Sequence, residues 1–136
     1  MKVELSRFQV RKGKSSRVDE WLKMLNENMS DVIQTLDREE MKLEVIFREV
    51  IDGREYLSWF SVQGEAGDMA DASPFEIDKK HLAFHEECIE HEYGMHDAQA
   101  QVIMVHKLVA DAMLWENPSN DIVEFQNNEI VFKREK

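Results

Sequence analysis

His81, His85 and Cys88 recur at spacings of four and three residues, and Glu92 follows four further on, so a helix would carry all four on one stripe. On the same helical wheel Phe75, Leu82, Ile89 and Tyr93 gather at one edge of the apolar arc, with Ile77 and Phe84 at the other. The titratable stripe therefore falls in the middle of the face a helix turns toward its core. Leu or Ile ordinarily fills that position, because a buried polar group must find a hydrogen-bond partner. The stripe reads in one of two ways: a polar cleft between helix and sheet, or a network of satisfied core side chains. As a cleft, it makes His85, nearest the centre, and then His81 the candidate catalytic bases, since a shielded imidazole stays neutral and can accept a proton. His91 lies beyond the edge. Trp21 and Trp59 offer flat walls for a planar ligand, which Cys88 and Glu92 would also touch, although each indole equally suits a core where its N–H has a partner.

Other chemistries have less to build on. His81 and His85 can share one metal ion with Cys88 nearby, but position 82 is Leu where His-Glu-x-x-His needs Glu, and no second cluster completes a ligand set. No metal and no cofactor are expected. The chain has no Gly-x-Ser-x-Gly elbow, Gly-x-Gly-x-x-Gly turn or P-loop. Cys88, the one cysteine, is either a thiolate activated by the histidines or a small core residue.

The 136 residues fit one main domain, and 43% apolar content fills a single core. Seventeen Lys and Arg against 28 Asp and Glu give a net charge of -11, which repels phosphate backbones and anionic lipid. Neither nucleic acid nor membrane is an expected partner. The first 14 residues are polar and no later run approaches the ~20 apolar residues of a span, so a soluble, cytoplasmic protein is expected.

The elements that must position the stripe follow from changes of period. Val3 to Val10 alternates, and Gly13 breaks it. Val18, Trp21, Leu22, Leu25, Met29, Val32, Ile33 and Leu36 then mark a helix capped at Ser15 or Ser16, with a second cap at Ser30. Met41 to Phe47 alternates up to Asp52-Gly53, a hairpin dipeptide, and Tyr56 to Val62 runs back. Glu65 to Ser73 is small, acidic and unpatterned, which predicts a mobile loop. Ser73-Pro74 opens the second helix, expected to reach Tyr93-Gly94. Ala100 to Val109 alternates as a fourth strand. Asp111 to Trp115 fits a helical turn, and Asn127-Asn128 fits the turn of a C-terminal hairpin. The order β-α-β-β-α-β predicts an α+β, ferredoxin-like antiparallel sheet with helices on one face, over residues 1–109, with 110–136 as an extension. Strands two and three are apolar on both sides. Ile46, Leu57 and Trp59 are expected on the side without helices, where a homodimer would form through the sheets.

Three stretches, SRFQVRKGKSSRVDEWLKMLNEN, EVIFREVIDGREYLSWFSVQGE and DKKHLAFHEECI, resemble a family of small bacterial proteins known as a domain of unknown function in the dimeric α/β-barrel superfamily. The resemblance runs from Met1 to about Val109 and implies the fold and the dimer, but no catalytic residues. The chain is more loosely similar to antibiotic-biosynthesis monooxygenases and haem-degrading proteins of that superfamily, which place a Trp on the third strand and a His on or after the second helix. Trp59 and His81, His85 or His91 occupy comparable places. The haem-degrading members also use an Asn on the first strand, where this chain has Arg7. Together these features lead to a protein that binds a small apolar or aromatic molecule between the second helix and the sheet. The alternatives are a cofactor-independent monooxygenase-like or isomerase-like enzyme with a His general base, and a dimeric protein-interaction module.

Overall fold

A computed structural model describes residues 2–64, 73–114, 121–126 and 129–134. The chain divides into two compact units, Met1–Val102 and Ile103–Lys136. The first contains β1 (Lys2–Gln9), α1 (Ser15–Glu27), α2 (Met29–Arg38), β2 (Met41–Ile51), β3 (Arg54–Gln63), α3 (Glu76–Cys88) and β4 (His96–Ala98). Its sheet has the order β2-β3-β1-β4 with every pairing antiparallel, the ferredoxin-like α+β arrangement.

Local chemistry explains most of the boundaries. Asp52 and Gly53 both adopt positive φ, which gives the two-residue turn that pairs Ile51 with Arg54. The first helical pattern is two helices, and the break falls at Asn28 rather than Ser30. The Asn28 backbone N–H and side-chain amide both donate to the Met24 carbonyl, at 3.2 and 2.7 Å, while its own carbonyl accepts from Asp31 and Val32. One residue thus closes α1 and opens α2, the competition with the helix ladder that asparagine favours. The second predicted helix is shorter than its pattern. Phe75 donates its backbone N–H to Ser73 Oγ before α3 begins, and after Cys88 the chain extends so that Ile89 bridges Val10.

The covered face of the sheet is the opposite of the expected one. Leu57 is fully buried, and Ile46 and Trp59 pack with Phe8 and Val10 against Val18, Trp21, Leu22, Leu25, Phe84 and Cys88 of the helices. The side without helices carries instead Val3, Leu5, Val45, Phe47 and Phe60, aligned by the register Val3↔Val62, Leu5↔Phe60 and Val45↔Phe60. Phe47 there is 56% exposed. Both strand faces are apolar, so alternation could not say which one the helices cover. A register shift between Met41 and Leu43 adds to this: they pair with Gln63 and Val62, neighbours on β3 that face opposite ways, so Met41 and Leu43 do not share a side.

The fourth strand also differs from expectation. Immediately after the Gly94 turn, His96–Ala98 pairs with Leu5–Arg7, and Ser6 donates to Asp97 at 2.6 Å. Residues 99–106 form no regular element, and Val102, Ile103, Met104 and Val105 expose their side chains, Met104 by 89%. An alternating sequence becomes a strand only where a partner edge is in reach, and the three residues following the turn occupy it.

The second unit contains α4 (Lys107–Leu114), which takes in the end of the predicted fourth strand, and β5 (Asp121–Gln126) paired antiparallel with β6 (Glu129–Arg134). Asn127 and Asn128, the expected hairpin turn, and residues 65–72, most of the expected mobile loop, lie outside the described residues. None of the described helices is long and apolar enough to cross a membrane.

Candidate functional site

The covered face grades from apolar to polar along its strands. Ile46, Leu57 and Phe8 lie toward one end, while the row Glu44, Ser61 and Glu4 crosses β2, β3 and β1 toward the other. α3 runs over this gradient with Ile77 and Asp78 at its start and Cys88 in the apolar core at its finish. Between those ends, α1 and α3 bring together Trp21, His81, Phe84 and His85 above Phe8 and Trp59.

The resulting aromatic cluster is dense. The Trp21 and Trp59 rings are 5.6 Å apart between centroids, His81 stands 5.4 Å from Trp21 and 6.2 Å from Trp59, and His85 meets Phe8 edge-on at 5.1 Å. Trp21 donates its indole N–H to His81 Nδ1 at 2.9 Å. An indole nitrogen is donor only, so Nδ1 is an acceptor and neutral His81 carries its proton on Nε2. Burial supports that state by pulling the His81 pKa down to about 4, with His85 acting in the same direction and Asp78 opposing. Burial likewise lowers His85, aided by His91 and opposed by Glu86.

Carboxyl groups at the polar end are perturbed the other way. Burial raises Glu39, at the end of α2, to about 7, with Glu44 and Asp78 adding to the rise and Arg38 opposing it. Glu44 is raised by burial too, against a hydrogen bond from Trp59, while Asp78 adds to the rise. Asp78 is only 6% exposed, and among the described residues its Oδ2 accepts no hydrogen bond. It sits in the first turn of α3, where free backbone N–H groups favour a negative charge. Burial thus shifts His81 and His85 toward the neutral imidazole and Glu39 and Glu44 toward the protonated carboxyl.

Of the residues singled out from sequence, Trp21, Trp59, His81 and His85 come together here. Cys88 packs in the core with Val10 and Ile89, and burial pushes its thiol upward, away from thiolate. Glu92 is elsewhere: the helix ends four residues before it, and it lines a depression beside Arg11 and Arg54. His91 is exposed and pairs with Glu86 at 3.3 Å. Glu39, Glu44 and Asp78 were not legible as site residues. Glu44 read as the polar half of an alternating strand, and its signal was present only in its parity with Ile46 and its register with Ser61. Asp78 stands three residues before His81 on the helix, a spacing that places it on the same side. Among the described residues no group of three or more His, Cys, Asp or Glu is placed to hold a metal ion.

Comparison with curated proteins finds no match. Among solved structures the chain is similar to an L-rhamnose mutarotase from Formosa agariphila, with 16% identity, 79% of this chain and 100% of the other covered, and a TM-score of 0.49. Residues 1–111 match the model of a family described as a family of unknown function, DUF6176, and the chain belongs to that family.

Proposed function

We propose that the protein binds a small molecule between α3 and the sheet and transfers a proton on it, an isomerase-like activity without a cofactor. The observation that carries this reading is the placing of imidazoles held neutral next to carboxyls drawn toward neutrality on one covered face. A shielded neutral imidazole can accept a proton and a carboxyl whose pKa is raised by burial can give one, and positioned proton transfer is worth about 10²- to 10⁴-fold in rate. His85 is the base in this reading, His81 the oriented donor through Nε2, Glu39 or Glu44 the acid, and Trp21 and Trp59 the walls. The test is a panel of small aromatic acids, quinones and α-hydroxy carbonyl compounds, scored by thermal shift and by NMR detection of deuterium incorporated from solvent. At least one compound should stabilise the parent and exchange a C–H, with exchange lowered ~100-fold or more in His85→Gln. If no compound acts on the parent and His85→Gln melts several degrees lower, the cluster is a structural network.

A second observation favours assembly as well. The sheet face without helices exposes Leu5 and Phe47, and it also holds both charges of the Arg7–Glu49 pair, 3.8 Å apart. A second copy related by a two-fold axis meets an apolar centre with an apolar centre and can exchange Arg7 and Glu49 partners at the rim. A homodimer through this face is the assembly we infer.

A further inference from the structure

Three chain segments meet at the end of the sheet nearest the β2–β3 turn, and backbone hydrogen bonds fix them to one another. Val10 donates to the Glu55 carbonyl at 2.9 Å, Arg11 to Cys88 at 2.8 Å and Glu90 to Gln9 at 2.8 Å. Between them lies a depression of about 570 Å³ lined by Gln9, Arg11, Lys12, Arg54, Glu90, Glu92 and Tyr93. That size suits a small molecule. Tyr93 forms one wall and is itself braced, with Tyr56 at 5.6 Å and His96 at 4.2 Å between ring centroids.

The charges in this depression are unusual for so acidic a chain. Elsewhere in the unit cations find carboxylates: Lys2 pairs with Glu4, Lys14 and Arg17 with Glu87, and Arg48 with Asp19 and Glu55. Arg11, Lys12 and Arg54 make no ion pair among the described residues, although two glutamates line the same walls. Glu90 accepts from the backbone N–H of Glu92 at 3.4 Å, which turns its carboxylate toward its own turn. Arg11 donates Nε to the Ile89 carbonyl at 2.9 Å, which holds the guanidinium in place and leaves its terminal nitrogens for another acceptor. Three cations that make no ion pair among the described residues, one of them held by its bond to Ile89 and all on walls joined by backbone bonds, form a receptor for negative charge.

We propose that this depression binds a small polyanion, a compound carrying a phosphate chain or several carboxylates, through Arg11, Lys12 and Arg54. The site is separate from the imidazole cluster, and its occupancy does not depend on the proton-transfer reading. Isothermal titration of the full chain with inorganic pyrophosphate and with citrate tests it and separates phosphate from carboxylate as the preferred source of charge. The parent should bind at least one probe, less tightly as salt rises. Arg54→Glu should weaken that binding tenfold or more, and the milder Lys12→Gln should weaken it measurably, while Lys23→Glu on the outer side of α1 leaves it unchanged. Circular dichroism of each variant checks the fold, and Lys12→Gln carries the test if Arg54→Glu does not fold. Absence of binding of both probes at millimolar concentration overturns the proposal. So does equal weakening by Lys23→Glu, which would make the attraction one of overall charge.

Discussion

The bond from Trp21 to His81 ties a fully buried indole to an imidazole that must stay neutral to accept it. Protonating Nδ1 would set two donors against each other, so His81 resists protonation in the folded chain and not in the unfolded one. With a folded pKa near 4 against an ordinary 6.5, the unfolded state binds more protons between those values. Stability is therefore unaffected by this group above pH 6.5 and is lost as pH falls toward 4, by a total of about 3 kcal/mol. Glu39 acts with the opposite sign. Its raised pKa means that the folded state keeps a proton the unfolded state releases, so its share is lost as pH rises from 4.5 through 7. Urea unfolding of the parent and of His81→Gln from pH 4 to 7 should separate the two: the variant loses less stability on acidification. A parallel pair of curves would show that His81 titrates alike in both states. The two histidines of this cluster were readable because a helical period exposes a polar stripe inside an apolar arc, whereas Trp59, offered as a wall, was also expected on the side of the sheet that the helices do not cover. The carboxyls were not readable, since their burial comes from packing between elements distant in sequence.

At the level of elements, the two faces of β2 and β3 should answer differently to the same truncation. Leu57→Ala removes a fully buried side chain from the core and should cost about 2–5 kcal/mol. Phe47→Ala, on the face without helices, should cost the isolated chain far less. If the parent assembles through this face, Phe47→Asp should convert that dimer to a folded monomer by analytical ultracentrifugation, because a charge placed at an apolar contact loses its hydration. A parent that sediments as a monomer at micromolar concentration excludes the sheet-to-sheet assembly. The order of strands and helices was legible from period and turn chemistry, above all the Asp52-Gly53 turn and the switch to 3.6-residue spacing after Gly13. Which face the helices cover was not, because both faces of β3 are apolar. The choice is made by Trp21 and Val18 meeting Leu57 and Trp59, a contact between residues nearly 40 positions apart in the chain.

For the molecule as a whole, the stretch Val102 to Val105 has a consequence beyond the ladder it does not join. Four successive exposed apolar side chains, three of them β-branched, have no partner strand among the described residues, a pattern that seeds intermolecular β-pairing. A net charge of -11 opposes such contacts by keeping copies apart, and that protection disappears as the sequence isoelectric point near 4.9 is approached. Light scattering alongside circular dichroism, titrated from pH 7 to 5, should record association while the secondary structure is still intact. Replacing Ile103 with Lys should remove the association, and scattering that rises only after the helices melt would place its origin in unfolding. The acidic surface thus acts as a colloidal brake, and the range of pH over which the protein stays dispersed is set by its carboxylates rather than by the strength of its fold.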